Sequence, residues 1–186
     1  MLAAISLTGC VGQPSPATPG DQPAPKATEA VTFADAPEGC PKSTKVTAKT
    51  SGLAETTFTS VSNWYTVWKN TPDAAQLVFS TYDVAKDNIY ASHEYSDKDA
   101  LVVVRLKDTV TNKVGVGNYS KADDAKMKVI EANVSSKGLA GGVFDKNGSV
   151  EITYLDSKYA CGTMKFDDGR GLLNGDFIAQ VNLMGL

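Results

Sequence analysis

The chain has one histidine in 186 residues, His93, which excludes metal sites built on paired histidines and any relay that needs two of them. A Ser-His-Asp arrangement would have to run through His93, and no Gly-x-Ser-x-Gly elbow presents a nucleophile. Beside Glu94 in the β-prone run Ile89 to Tyr95, His93 reads as an ordinary strand residue. Cys-x-x-Cys spacing is absent, so neither a zinc site nor a thioredoxin-like redox pair is expected. No apolar run approaches the ~20 residues of a membrane-spanning helix. Neither sign of charge is in large excess. A net charge of −3 without a basic cluster argues against nucleic acid and against anionic lipid headgroups as partners. Helical periodicity is weak throughout, with at most one turn over Ser120 to Lys126 capped by Ser120.

Prolines, by contrast, crowd one end. From residue 11 to about Gly39, Pro14, Pro16, Pro19, Pro23, Pro25 and Pro37 lie among Ala, Thr, Gly, Ser and Gln, and Phe33 is the only aromatic. Such a stretch buries too little apolar surface to offset its ordering entropy. It is expected to be a disordered, extended stalk, with Val31 and Phe33 able to dock locally.

After about Lys45 the pattern becomes short β-prone runs separated by turn residues: Thr57 to Trp68, Gln76 to Tyr82, Ile89 to Tyr95, Leu101 to Leu106, Val114 to Tyr119 and Met127 to Val134. Two hairpins stand out. Asp145-Lys146-Asn147-Gly148 joins Val143-Phe144 to Val150, Ile152 and Tyr154, and Asp167-Asp168-Gly169 joins Ala160–Phe166 to the last strand. The expected fold is all-β, an antiparallel β-sandwich, with a calycin-like β-barrel as the alternative. Asp145 to Asp156 has the start of a calcium loop but Asp156, not Glu, at the twelfth place, and reads as a turn. The adjacent pair Asp167-Asp168 is likewise a turn and not an acid–base pair. Gly138, Gly141 and Gly142 match no phosphate cradle. No cofactor or metal is implied.

Aromatics gather in one third of the domain. Phe58, Trp64 and Trp68 share a parity and read as core, which leaves Tyr65, Tyr90 and Tyr95 as candidates for a partner-binding surface.

At the N-terminus a short apolar run, Leu2 to Leu7, leads into Leu7-Thr8-Gly9-Cys10. This resembles the lipobox of bacterial lipoproteins. The resemblance implies a lipidated Cys10 as mature N-terminus, with residues 1–9 as part of a signal peptide, residues 10–39 as anchor and linker, and residues 40–186 as the β domain. Val11, in place of the Asp that retains enterobacterial lipoproteins in the inner membrane, is similar to the outer-membrane sorting pattern. Gly162, Phe166, Asp168-Gly169, Gly175 and Phe177 loosely resemble the terminal hairpins of uncharacterised bacterial β lipoproteins. Once lipid claims Cys10, Cys40 and Cys161 remain, and an oxidising compartment makes them a disulfide. The expectation is a non-catalytic protein of the cell envelope. It is held to the membrane by its lipid, and its β domain binds or scaffolds an envelope protein or glycan. A barrel carrying a small apolar ligand is the first alternative, an envelope hydrolase the second.

Overall fold

The computed structural model describes residues 29–51, 53–86, 88, 93–137, 139–144 and 147–184, with the backbone alone over 139–143. The lipobox with Cys10, and Tyr90, lie outside the described residues. Eleven strands and no helix are present among them: β1 Lys45–Thr50, β2 Leu53–Thr59, β3 Ser62–Trp68, β4 Thr71–Ser80, β5 Ala100–Asp108, β6 Gly117–Ser120, β7 Met127–Ser136, β8 Leu139–Val143, β9 Gly148–Leu155, β10 Tyr159–Asp167 and β11 Leu172–Met184.

The sandwich expectation is overturned. Neighbouring strands run β10-β9-β6-β7-β5-β4-β3-β11, and β10 pairs with β11, so the sheet closes into an eight-stranded barrel. The long β11 makes this possible. Its first part pairs with β1 (Lys45↔Asp176) and its last part runs parallel to β3 (Gln180↔Trp64, Met184↔Trp68), while β10 lies along its other edge. Closure leaves no unpaired edge around the ring, which two facing sheets would have kept. The β1–β2 hairpin and β8, which pairs with β7, are extra to the ring.

Alternation along the strands decides what fills the barrel. Tyr65, Leu77, Phe79, Val102, Val104, Leu106, Tyr119, Ile152, Phe166 and Phe177 are buried together in its interior. Phe144, just after β8, packs near Phe166 with ring centroids 6.0 Å apart, and it fills the interior beside the β10–β11 turn. Gly148, at φ +155°, is needed here, since a Cβ would lie 2.0 Å from the Phe166 ring.

Leu101 to Leu106 lacks alternation because β5 is buried on both faces. Its outward residues Leu101 and Val103 pack with Val78, Trp64, Tyr82, Val84 and Tyr95. The cover is the connection from Thr81 to Asp99, held by Trp64 Nε1 donating to Val84 O at 2.9 Å and by Val84 N donating to Ser62 Oγ at 2.8 Å. The expected strand over Ile89 to Tyr95 is therefore not found over its described residues, 93–95, which belong to this connection. The one-turn helix at Ser120 to Lys126 is a non-helical turn.

The first hairpin is also different from its expectation. β8 pairs with β7, and β9 pairs with β6 and β10, so Asn147-Gly148 links two strands that belong to different ladders. The second hairpin forms as read. Asp167 faces Leu172, Gly169 has φ +79°, and Asp168 Oδ1 accepts from Arg170 N at 2.9 Å and Gly171 N at 2.7 Å.

Residues 29–39, the described end of the proline-rich stretch, dock on the barrel through the two apolar residues read as able to do so. Phe33 and Ala36 are buried with Tyr159, Cys161 and Ile178, and Val31 packs beside them. Phe33 N donates to Lys42 O at 2.8 Å, and its ring meets Tyr159 edge-on at 5.6 Å. Cys40 and Cys161 are bridged, with Cα atoms 5.7 Å apart. Where β1 has not yet begun, the Thr44 hydroxyl completes the ladder, donating to Ile178 O at 2.7 Å and accepting from Ile178 N at 3.0 Å. The packing of Val31 and Phe33 and the disulfide hold residues 31–40 against the barrel.

Candidate functional site at the barrel mouth

The interior is filled at the Phe144 end and open at the other. There, Tyr65 and Val67 of β3, Pro72 of β4, Val114, Leu155 at the end of β9, and Val181 and Leu183 of β11 line a cavity of about 340 Å³, with Lys113, Asp156 and Ser157 also on it. That volume lies at the small end of the ~300–1,000 Å³ range of ligand pockets, and barrel mouths are one of their habitual places. The lining is mostly apolar side chains, with few polar groups.

Each wall has a local cause. The connection between β5 and β6 is turned by Asp108, whose Oδ1 accepts from Val110 N (2.7 Å) and Thr111 N (3.0 Å) and whose Oδ2 accepts from Thr111 Oγ1 (2.7 Å). Asn112 takes φ +54° in this turn. Burial alone pushes the Asp108 carboxyl up, but these three donors outweigh it and hold it below its ordinary value. The turn delivers Val114, whose N donates to Pro72 O at 3.0 Å, to the mouth. On the opposite wall Asp156 Oδ1 accepts from Lys158 N and Tyr159 N, both at 2.7 Å, and Oδ2 accepts from Tyr154 Oη at 2.7 Å. These bonds, that from Tyr159 N foremost, lower the Asp156 pKa. Its carboxylate is thus committed to its own turn. The N-terminal segment buttresses the same turn. Asp35 pairs with Lys158 and accepts from Tyr159 Oη at 2.6 Å, and the Lys158 bond, then that of Tyr159, brings its pKa down to about 2.

Two tyrosines stand inside the wall near the mouth, and they differ. Tyr119 Oη donates to Gly115 O at 2.9 Å and accepts from Gly115 N at 2.8 Å. Tyr65, 1 % exposed, has no hydrogen-bond partner for its hydroxyl among the described residues. Burial, then the neighbouring Tyr119, pushes the Tyr65 pKa well above its ordinary value.

Tyr65 was expected at the surface and is in the interior, a correction with a simple cause. The bend at Ser60-Val61 separates β2 from β3 and resets the parity, so odd residues of β3 point inward. Trp64, expected in the core, is on the outer face under the Thr81–Asp99 connection. Phe58, before the bend, does pack against the interior.

Tyr95 is half-buried and bound into a ring cluster. His93 stacks on Tyr82 at 3.6 Å, Tyr95 meets both rings edge-on, and His93 Nε2 lies 3.0 Å from Asp99 Oδ2. His93 is thus a fastener for the connection and not a strand residue. The structure does not bring Tyr65 and Tyr95 together, since one faces the interior and the other the outer cover. Among the described residues no group of three His, Cys, Asp or Glu is placed to hold a metal ion.

The site at the mouth was missed in the sequence because its residues come from β3, β4, β9, β11 and the turn after β5. One signal was readable. Val181 and Leu183 continue the apolar alternation of β11 beyond the end of its pairing with β10 at Tyr159↔Gln180. Comparison with protein-family models, curated proteins and solved structures finds no match to this chain.

Proposed function

We infer that this chain is a non-catalytic, lipid-anchored protein of the bacterial cell envelope whose calycin-like barrel carries a small, mainly apolar ligand in its mouth. The observation that carries the reading is the 340 Å³ apolar-lined opening of an otherwise filled, closed barrel. At ~30 Å³ per non-hydrogen atom, the share of a liquid water, it suits about ten such atoms. Burying on the order of 200 Å² of apolar ligand surface at ~25 cal/mol per Å² gives about 5 kcal/mol before association costs, so affinities of about 1 mM or weaker are expected. Anchorage through Cys10 rests on Leu7-Thr8-Gly9-Cys10 and the outer membrane on Val11, and both are parts of this proposal. Scaffolding of an envelope protein or glycan through tyrosines has less support, with Tyr65 inside and Tyr95 tied to its neighbours.

The test is displacement of an environment-sensitive naphthylamine probe from the folded protein by small apolar competitors. Saturable binding that Val67→Trp abolishes, with the melting transition preserved, is the expected result. Binding unaffected by Val67→Trp, or none at all, would refute the assignment.

A further inference from the structure

One buried polar group without a hydrogen-bond partner among the described residues, the Tyr65 hydroxyl, belongs to a residue that lines the mouth. Around the barrel interior, polar side chains near the mouth are committed: Tyr119 Oη to both backbone atoms of Gly115, Asp108 to the turn after β5, Asp156 to the turn after β9. Tyr65 is the exception. It lines the cavity, is 1 % exposed, and its hydroxyl has no partner among the described residues. A buried hydroxyl left unpaired is costly, so its retention where Phe would pack equally well calls for a partner.

We propose that Tyr65 donates a hydrogen bond to the ligand, and that the ligand class is a neutral, mainly apolar molecule bearing a hydrogen-bond acceptor such as a ketone, ester or ether oxygen. This rests on the mouth being the ligand site. The donor role follows from the environment, since a phenol shielded from water keeps its proton across the neutral range. Neutrality of the ligand follows from the walls. Among the described residues Lys113 is the only cation lining the cavity and Asp156 the only anion, and the Asp156 carboxylate already accepts three bonds from its own turn. A charged ligand would be desolvated by Val67, Val114, Leu155 and Val181 without a buried counter-charge. An apolar body with one acceptor loses little on entry and satisfies the orphaned Tyr65 hydroxyl.

The experiment compares two ligands of equal size, 4-methylacetophenone and 4-isopropyltoluene, with the wild-type protein and with Tyr65→Phe. The ketone is expected to bind wild type roughly tenfold more tightly than the hydrocarbon, the worth of one buried hydrogen bond. In Tyr65→Phe that preference should reverse, through weaker ketone binding at unchanged hydrocarbon affinity, because the carbonyl is then buried without a donor. The free variant should melt no lower than wild type, because the hydroxyl it loses has no partner there; a lower melting point would show that the hydroxyl serves the fold instead. Equal binding of both ligands to wild type overturns the acceptor proposal while leaving the apolar site standing, and indicates that water serves the hydroxyl. A ketone preference that survives in Tyr65→Phe also overturns it. If neither ligand binds, the ligand site itself fails and this inference falls with it.

Discussion

Removing the Cys40–Cys161 bridge is a sharp perturbation, because the two residues are 121 apart in sequence and the bridge encloses most of the barrel. In the chain-entropy description a loop of that length costs the unfolded chain about 5 kcal/mol, and loss of native disulfides measures about 2–5 kcal/mol. Which cysteine is changed matters. Cys161 is fully buried beside Phe33 and Ile178, so serine there would also bury a hydroxyl at a further cost of about 1–3 kcal/mol. Cys40 is only partly buried, and Cys40→Ala leaves Cys161 as a small apolar side chain in place. In a chain carrying Cys10→Ser, to remove the third thiol, Cys40→Ala is expected to lose about 2–5 kcal/mol in urea unfolding. At about 2–4 °C per kcal/mol for this size, melting falls by on the order of 5–20 °C. Wild type under reductant should converge on the variant, and it should take up no thiol label before reduction. An unchanged transition, or labelling of Cys161 in the native oxidised protein, would refute the reasoning.

Other outcomes follow from the same geometry. Phe33→Ala should cost about 3–5 kcal/mol by urea unfolding, since a buried ring wedged against Tyr159 and Ile178 is lost; no change would mean that the segment is not docked. Gly162→Ala places a Cβ 1.8 Å from Glu151 O, a backbone atom that cannot yield, so melting should drop by more than for Gly169→Ala, which meets nothing and pays only for φ +79°. Asp35, Asp108 and Asp168 all titrate below their ordinary value, Asp35 at about 2. For a depressed carboxylate the stabilisation is full above the unfolded value near 3.8 and is lost as pH falls through the folded one, so melting temperature should be flat above about pH 5 and fall toward pH 2. Asp108→Asn, which keeps an acceptor for the turn, should flatten that acid slope; a slope unchanged in the variant would contradict the assignment.

The class of fold was legible in the sequence, while closure was not. Turn residues and β-branched runs mark most strands, and Asp168-Gly169 marks its hairpin, because these signals are local. Closure depends on β11 reaching β3 in parallel, a pairing between residues more than a hundred apart that no local pattern encodes. The Cys40–Cys161 pair was legible once the lipobox resemblance set Cys10 aside, and Val31 and Phe33 were legible as apolar residues able to dock, though not where on the barrel they would do so. Tyr65 was misplaced for a different reason. Parity carried unbroken from Phe58 to Trp68 ignores the bend at Ser60-Val61, and a single such bend exchanges the two faces of everything after it. Hydrophobicity could not correct the error, because β3 to β5 bear apolar residues on both faces under the Thr81–Asp99 cover.

The central claim is that the open end of the barrel holds a small apolar ligand, and methyl NMR tests it most directly. Titration with 4-methylacetophenone should give saturable shifts at Val67, Val114, Leu155, Val181 and Leu183, and none at the exposed Val116 and Ile130. Absence of saturation, or shifts of equal size at Val116 and Ile130, would contradict it.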